Sequence, residues 1–268
     1  MNKIEAAVEM HAQKVKQFIE KFGAQHFMTV LIGSQNYGLD SKDSDIDTFS
    51  FVMPSLNDLI TGKPPLSFEI DADDGKCSVK DYRLAFNLLR KPSPNSVECF
   101  VSKYKYYEPE YSKVLEYFLD NKTTLRIITH ANFCNMLNAI AGTARMLHGR
   151  NMTEGKKYSH CLRLEELAQK YLDWEVSPFE YLSLSPENTE AARLAKFGDS
   201  NKTNEWYEQQ CKVIADILTD KADTFILSEA QRIYEDFSLK LIDSFETLLF
   251  NQYLTLNGYR KKQNEKKN

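Results

Sequence analysis

No run in this chain of 268 residues approaches the roughly 18 consecutive apolar residues that a membrane-spanning helix needs. The first 22 residues are amphipathic but interrupted by charges, which excludes a secretory signal peptide and makes the cytoplasm the expected compartment. Cysteines are few and scattered: Cys77, Cys99, Cys134, Cys161 and Cys211 lack C-x-x-C spacing, so neither a disulfide framework nor a zinc site is expected. His11, His26, His130 and His148 form no H-x-x-x-H or H-E-x-x-H pattern. Positive charge is not in excess either. A net charge of −4 argues against broad, non-specific binding to DNA, which favours a basic face. Internal repeats and low-complexity tracts are missing as well. What remains is an ordinary globular composition, 42% hydrophobic and 27% charged, with enough chain for one large domain or two modest ones.

The informative stretch is LIGSQNYGLDSKDSDIDTFSFV, Leu31–Val52. An apolar run, Met28–Ile32, ends in Gly33-Ser34; a polar loop follows; Asp45-Ile46-Asp47 then leads into a second apolar run, Phe49–Met53. Side chains at i and i+2 of a strand point to the same side, so both carboxylates face one point. Two such groups repel unless a cation lies between them. Mg²⁺ is commonly bound by one or two carboxylates together with phosphate oxygens. Gly33 allows close backbone approach, and Ser34 offers a hydroxyl and an N–H to a phosphate.

Gly33-Ser34, the intervening loop and Asp45-x-Asp47 between two strands resemble the signature of the DNA polymerase β nucleotidyltransferase superfamily. The form GSQNYGLDSKDSDID, with Tyr37-Gly38 and Ser44-Asp45, is most similar to the bacterial and phage "predicted nucleotidyltransferase" group. The resemblance implies an α+β fold in which a small mixed sheet with flanking helices carries the site and an α-helical C-terminal domain closes the cleft. The expected divisions are a catalytic domain over 1–104, a helical domain over 105–258 and a disordered charged tail over 259–268.

The superfamily pattern also implies a third carboxylate on a strand beside Asp45-x-Asp47. Asp81, at the end of the hairpin strand Lys76–Tyr82, is the first choice; Glu69 and Asp71 on the partner strand Leu66–Asp71 are its rivals. Downstream, Ser93-Pro94-Asn95 and Glu98 match the family's turn and Glu-bearing helix, although Ser93 replaces an Asn. Glu98 positions substrate or answers to the helix dipole. Beyond residue 105 the apolar spacing is helical throughout, over Pro109–Asp120, Thr123–Leu147, Thr153–Trp174, Glu187–Phe197, Asn204–Leu218 and Asp223–Phe250.

Lys156, His160 and Arg163 fall at i, i+4 and i+7 on one helical face, suited to a triphosphate across a cleft. GKKYSHCLRLEELAQ (Gly155–Gln169) and LAKFGDSN (Leu194–Asn201) resemble the family's Lys…His…Arg helix and its short basic turn. The alternative is a solvated basic face paired with Glu154, Glu165 and Glu166.

Taken together, the resemblance implies an enzyme that transfers an NMP from an NTP to an acceptor hydroxyl and releases pyrophosphate. Asp45, Asp47 and Asp81 would be catalytic and hold Mg²⁺ (or Mn²⁺). Gly33, Ser34, Tyr37, Ser44, Lys156, His160 and Arg163 would bind the nucleotide. A small molecule or a protein is the expected acceptor. An RNA-end nucleotidyltransferase and a catalytically inactive nucleotide sensor are the alternatives.

Overall fold

The computed structural model describes residues 2–42, 44–198 and 201–259. The expected tail therefore lies outside the described residues, apart from Tyr259. Helix α1 (Lys3–Ile19) leads into β1 (Gln25–Ile32), a 3-10 turn over Ser34–Tyr37, β2 (Asp47–Met53) and the short helix α2 (Leu56–Ile60). The hairpin β3 (Ser67–Ala72) and β4 (Gly75–Asp81) follows, then α3 (Tyr82–Arg90), α4 (Pro94–Val101) and β5 (Lys105–Tyr107). The rest is helical: α5 (Pro109–Leu119), α6 (Lys122–Thr129), α7 (Phe133–Leu147), α8 (Glu154–Leu172), α9 (Pro186–Phe197), α10 (Asn204–Thr224) and α11 (Glu229–Leu256).

The strands form one mixed sheet in the order β3-β4-β2-β1-β5, with β2 and β4 parallel and the other pairs antiparallel. Alternation sorts the sheet's two faces. Val52, Cys77 and Val79 pack with Val15 and Ile19 of α1. Phe51 and Met53 point the other way, into the large core that continues through α3 to α11. The fold is thus α+β, as the sequence implies.

Three expected boundaries shift. The fifth strand lies past residue 104, and the apolar core runs from Phe27 and Phe51 in the sheet to Leu249 and Tyr253 in α11. A division at 104/105 therefore cuts through the sheet. The helix expected over Thr123–Leu147 is broken at His130–Asn132, where Asn132 accepts a hydrogen bond from the Asn135 N–H and starts α7. The last break falls at Phe225–Ser228, with Ser228 and Gln231 forming a capping box for α11.

Candidate active site

Most of the expected site residues surround one cavity of about 360 Å³. Ser34, Ser44, Asp45 and Asp47 form the wall on the sheet side, and Lys156, His160 and Arg163 of α8 form the opposite wall. Gly33 also lines it. The sequence separates the two sets by more than a hundred residues; the fold brings them to one cavity.

The acidic wall is held by backbone. Asp45 lies just before β2 and Asp47 is its first residue, opposite Ile32 in the β1 register. The carboxylate Oδ1 of Asp47 accepts from the Lys76 N–H at 3.0 Å. The Ile46 N–H donates to the Asp74 carbonyl at 2.7 Å. At Gly75 the backbones touch: a Cβ there would stand 2.2 Å from the Ile46 carbonyl oxygen, so no other residue fits without displacing the segment between the two aspartates. Buried His11 braces the same region, with Nδ1 on the Thr48 hydroxyl and Nε2 on the Asp74 carboxylate, each at 2.8 Å. From the other side Gln35 Nε2 donates to the Asp45 carbonyl at 2.6 Å. His11 and Gln35 carried no signal in the sequence, because neither belongs to a spaced motif.

The loop between Gly33 and Tyr37 is anchored by Glu98, which is buried on α4. Its Oε1 accepts from the Gly33 N–H at 2.7 Å and from Asn36 Nδ2 at 3.1 Å. Glu98 is therefore a positioning group for the loop, and the Gly33 N–H is engaged within the protein. Ser34 has no side-chain hydrogen bond among the described residues, so its hydroxyl stays available to a ligand. Tyr37 is buried, with the Arg163 guanidinium 3.2 Å from its ring centre, and burial raises its phenol pKa. It supports Arg163 beneath the cavity wall.

The basic wall starts at the N-terminus of α8, capped by Thr153. Gly155 sits so close to α9 that a Cβ would lie 2.0 Å from the Ala195 carbonyl oxygen. That contact brings Lys196 to the cavity beside Lys156. Lys196 donates to the Leu39 carbonyl, and Arg193 donates to the Gly38 carbonyl at 3.3 Å, so α9 grips the loop before the aspartates. Burial lowers the Lys196 pKa, and Lys156 and Arg163 lower it further. His160 is pulled down to about 3 by burial and then by Arg163, Lys156, Lys196 and Arg150. The imidazole is neutral. Its Nδ1 accepts from Arg163 Nη1 at 3.3 Å, which leaves the hydrogen on Nε2.

These cations are not spent on helix-surface pairs: Glu154 pairs with Lys157 and Glu166 with Lys170, while the nearest acid to Arg163 is Glu98 at 3.9 Å. Arg163 Nε is buried without a partner among the described residues. Lys196 was the residue missed, although LAKFGDSN carried its signal. Asp199 and Ser200 of that segment lie outside the described residues.

Asp81 is not part of this constellation. It pairs in register with Val52, at the far end of β2 from Asp47, and shares its strand parity with Cys77 and Val79 on the α1 side. Fully buried, it caps α3 through the Arg83 N–H at 2.9 Å and pairs with the Arg83 guanidinium at 2.7 Å. The parallel pairing of β2 and β4 causes this, since it puts the end of β4 beside the end of β2. Lys76, Ser78 and Lys80 occupy the β4 positions that share the Asp47 face. The rivals fall on the correct face one strand further out: Asp71 opposite Lys76, and Glu69 opposite Ser78, whose hydroxyl donates to it at 3.4 Å.

Among the described residues no group of three or more histidine, cysteine or acidic side chains is placed to hold a metal ion. Two carboxylates remain, and these fit an ion that arrives with a nucleotide, because Mg²⁺ is commonly held by one or two carboxylates plus phosphate oxygens. The Asp45 carboxylate and Asp47 Oδ2 have no protein partner among the described residues.

No curated protein sequence matches the chain. Among solved structures, a nucleotidyltransferase-like protein from Exiguobacterium sibiricum is similar at 10% identity, with 97% of this chain and 81% of that chain covered and a TM-score of 0.29. The profile of the family described as "RlaP: RNA repair pathway DNA polymerase beta family" matches residues 8–221, a span that takes in both walls of the cavity. The chain belongs to that RNA repair pathway DNA polymerase beta family.

Proposed function

We propose that the protein transfers a nucleoside monophosphate from a nucleoside triphosphate to the hydroxyl at an RNA end, in a metal-dependent reaction at the cavity between β2 and α8. The observation that carries this is the opposition of Asp45 and Asp47 to Lys156, Arg163 and Lys196 across one space. Family membership supports NMP transfer as the general chemistry, and the family's tie to an RNA repair pathway favours RNA over a small molecule or protein as acceptor. Asp45 and Asp47 would hold Mg²⁺ or Mn²⁺, which supplies charge neutralisation at the phosphoryl oxygens.

The remaining work belongs to the protein. Lys156, Arg163 and Lys196 take the negative charge of the triphosphate, and they stabilise the pyrophosphate as it leaves. Ser34 donates to a phosphate oxygen. His160, neutral, adds a hydrogen-bond donor without adding charge. The acceptor oxygen attacks the α-phosphorus and gives its proton to solvent water, and the bond from that phosphorus to the α–β bridging oxygen breaks, its electron pair leaving with the pyrophosphate. The rigid backing of the aspartates by Gly75, His11 and Gln35 keeps their geometry fixed through the reaction.

One observation favours a second reading. No carboxylate stands on β4 beside Asp47, and a nucleotide sensor without turnover would need none. A labelling experiment separates the two. Incubation with α-³²P-labelled ATP, GTP, CTP and UTP, Mg²⁺ or Mn²⁺, and RNA ends is expected to label the RNA. The Asp45→Ala/Asp47→Ala double variant should keep its fold and lose the transfer. Label on protein or small molecules would overturn the RNA acceptor, and nucleotide binding without any transfer would establish the sensor.

A further inference from the structure

Helix α11 is apolar on two sides. Ser238, Ile242, Phe245, Leu249 and Tyr253 are its buried positions, packed on the body of the protein. Near its start, Ala230, Ile233 and Phe237 follow one another at steps of three and four residues, the spacing of a helix–helix seam. Nine residues, or two and a half turns, separate Ile233 from the fully buried Ile242, which puts the two on opposite sides of the helix. Ile233 is 64% exposed and Phe237 51%, and Ile226, just ahead of the helix, is 84% exposed. An apolar stripe on the outer side of a helix that is already packed on its inner side marks a contact surface.

The surroundings of the stripe fit it to a copy of itself. A cavity of about 320 Å³ lies beside it, lined by Trp174, Ser228, Ala230, Gln231 and Tyr234, so Ala230 belongs to both. Trp174 and Tyr234 meet edge to face there, with ring centres 4.5 Å apart, and such walls suit a further aromatic ring. The charges along the same stretch alternate in sign: Glu229, Arg232, Asp236 and Lys240, all exposed. None of the four forms an ion pair among the described residues. The ion pairs of α11 to Arg90 use Asp243 and Glu246 instead. Run backwards, the order minus, plus, minus, plus becomes its own complement.

We propose that this face of α11 binds the same face of a second copy of the chain, with the two helices antiparallel about a twofold axis near Ile233. Ala230 then stands opposite Phe237 of the second copy. The small side chain leaves room for the ring, which enters the cavity lined by Trp174 and Tyr234, and the twofold repeats the contact. Glu229 comes to Lys240 of the second copy, and Arg232 to its Asp236. A parallel pairing would set like charges against each other. The seam runs about three turns, a small interface, so the dissociation constant is expected on the order of tens of micromolar.

Sedimentation velocity on the full chain, from about 1 µM to about 500 µM, should show monomer passing into dimer. Ile233→Asp changes an exposed position, so it should leave the circular dichroism spectrum as it is and weaken the dimer about a hundredfold. Phe237→Ala should weaken it by about tenfold or more. Lys240→Glu brings a second acid to Glu229 and should also weaken it. Glu229→Lys combined with Lys240→Glu restores opposite charges across the seam and should recover the original affinity to within about threefold. Eleven residues, about 16 Å, separate positions 229 and 240 along one helix, so that recovery can arise only between copies. A monomer at every concentration would overturn the second copy as occupant and leave the face to another partner. A dimer that survives Ile233→Asp would put the interface elsewhere. Failure of the charge exchange to restore the dimer would overturn the antiparallel arrangement.

Discussion

Asp81 shows how far a single residue can be read from sequence. Its type, its place on a strand and the acid-then-helix pattern all suited a metal ligand. Strand pairing decided otherwise, and pairing is a property of two segments that neither one displays. In the folded chain Asp81 is instead a structural acid, fully buried, capping α3 and pairing with Arg83. Asp81→Ala should therefore lower unfolding stability by about 2–3 kcal/mol, from a lost cap and an ion pair partly sheltered from water. Its Mn²⁺-dependent nucleotide binding should remain, measured by denaturant midpoint and calorimetry on the same sample. Loss of nucleotide binding at full stability would return Asp81 to the site. His160 makes the opposite point, since its spacing marked its face but not its charge state. Its folded pKa of about 3 lies below the usual unfolded value of about 6.5. The unfolded chain thus binds a proton at this residue that the folded chain does not. The stability tied to the neutral ring is complete above pH 6.5 and is lost as pH falls toward about 3. Urea midpoints between pH 7 and 4 should fall with acid, and His160→Gln should flatten that fall.

At the scale of elements, the helices and strands were legible because each carries its own periodicity and punctuation. Ser55, Thr153 and the Asp74-Gly75 turn announced themselves by residue type alone. The break between α6 and α7 did not, because an Asn cap without Gly or Pro resembles any polar helix position. What no element disclosed is that the β3–β4 turn serves the aspartates. Asn-Gly and Asp-Gly turns normally use glycine for its backbone freedom. Gly75 is required for space, against the Ile46 carbonyl. Gly75→Ala should then cost about 1–3 kcal/mol of stability as an overpacked contact. It should also depress turnover more than nucleotide affinity, since it displaces Asp45 and Asp47 and leaves the basic wall on α8 in place. The pair of measurements is a melt and a kcat-against-KM comparison. Equal losses in kcat and affinity would mean that the hairpin supports the whole cavity and not its acidic wall.

At the scale of the molecule, the change of periodicity near residue 105 suggested two units, and the structure joins them. The Tyr253 hydroxyl in α11 donates to the Pro54 carbonyl at 3.0 Å, and Arg90 of α3 pairs with Asp243 and Glu246 of α11. Such returns of a late helix to an early strand leave no trace in local sequence. They predict that sheet and helices unfold together. Phe51, fully buried in β2, stacks with Phe27 and Phe100, so Phe51→Ala should remove about 3–5 kcal/mol. Both tryptophans, Trp174 and Trp206, lie in the helical part. In a cooperative molecule their fluorescence midpoint in urea should drop by as much as the far-ultraviolet circular dichroism midpoint, although neither tryptophan belongs to the mutated strand. Two units would respond differently, with circular dichroism losing an early fraction while tryptophan fluorescence held its original midpoint. The distinction bears on chemistry as well as stability. The acids stand on the sheet and the cations on α8 and α9, so only a molecule that folds as one keeps both walls at a fixed separation before any nucleotide arrives.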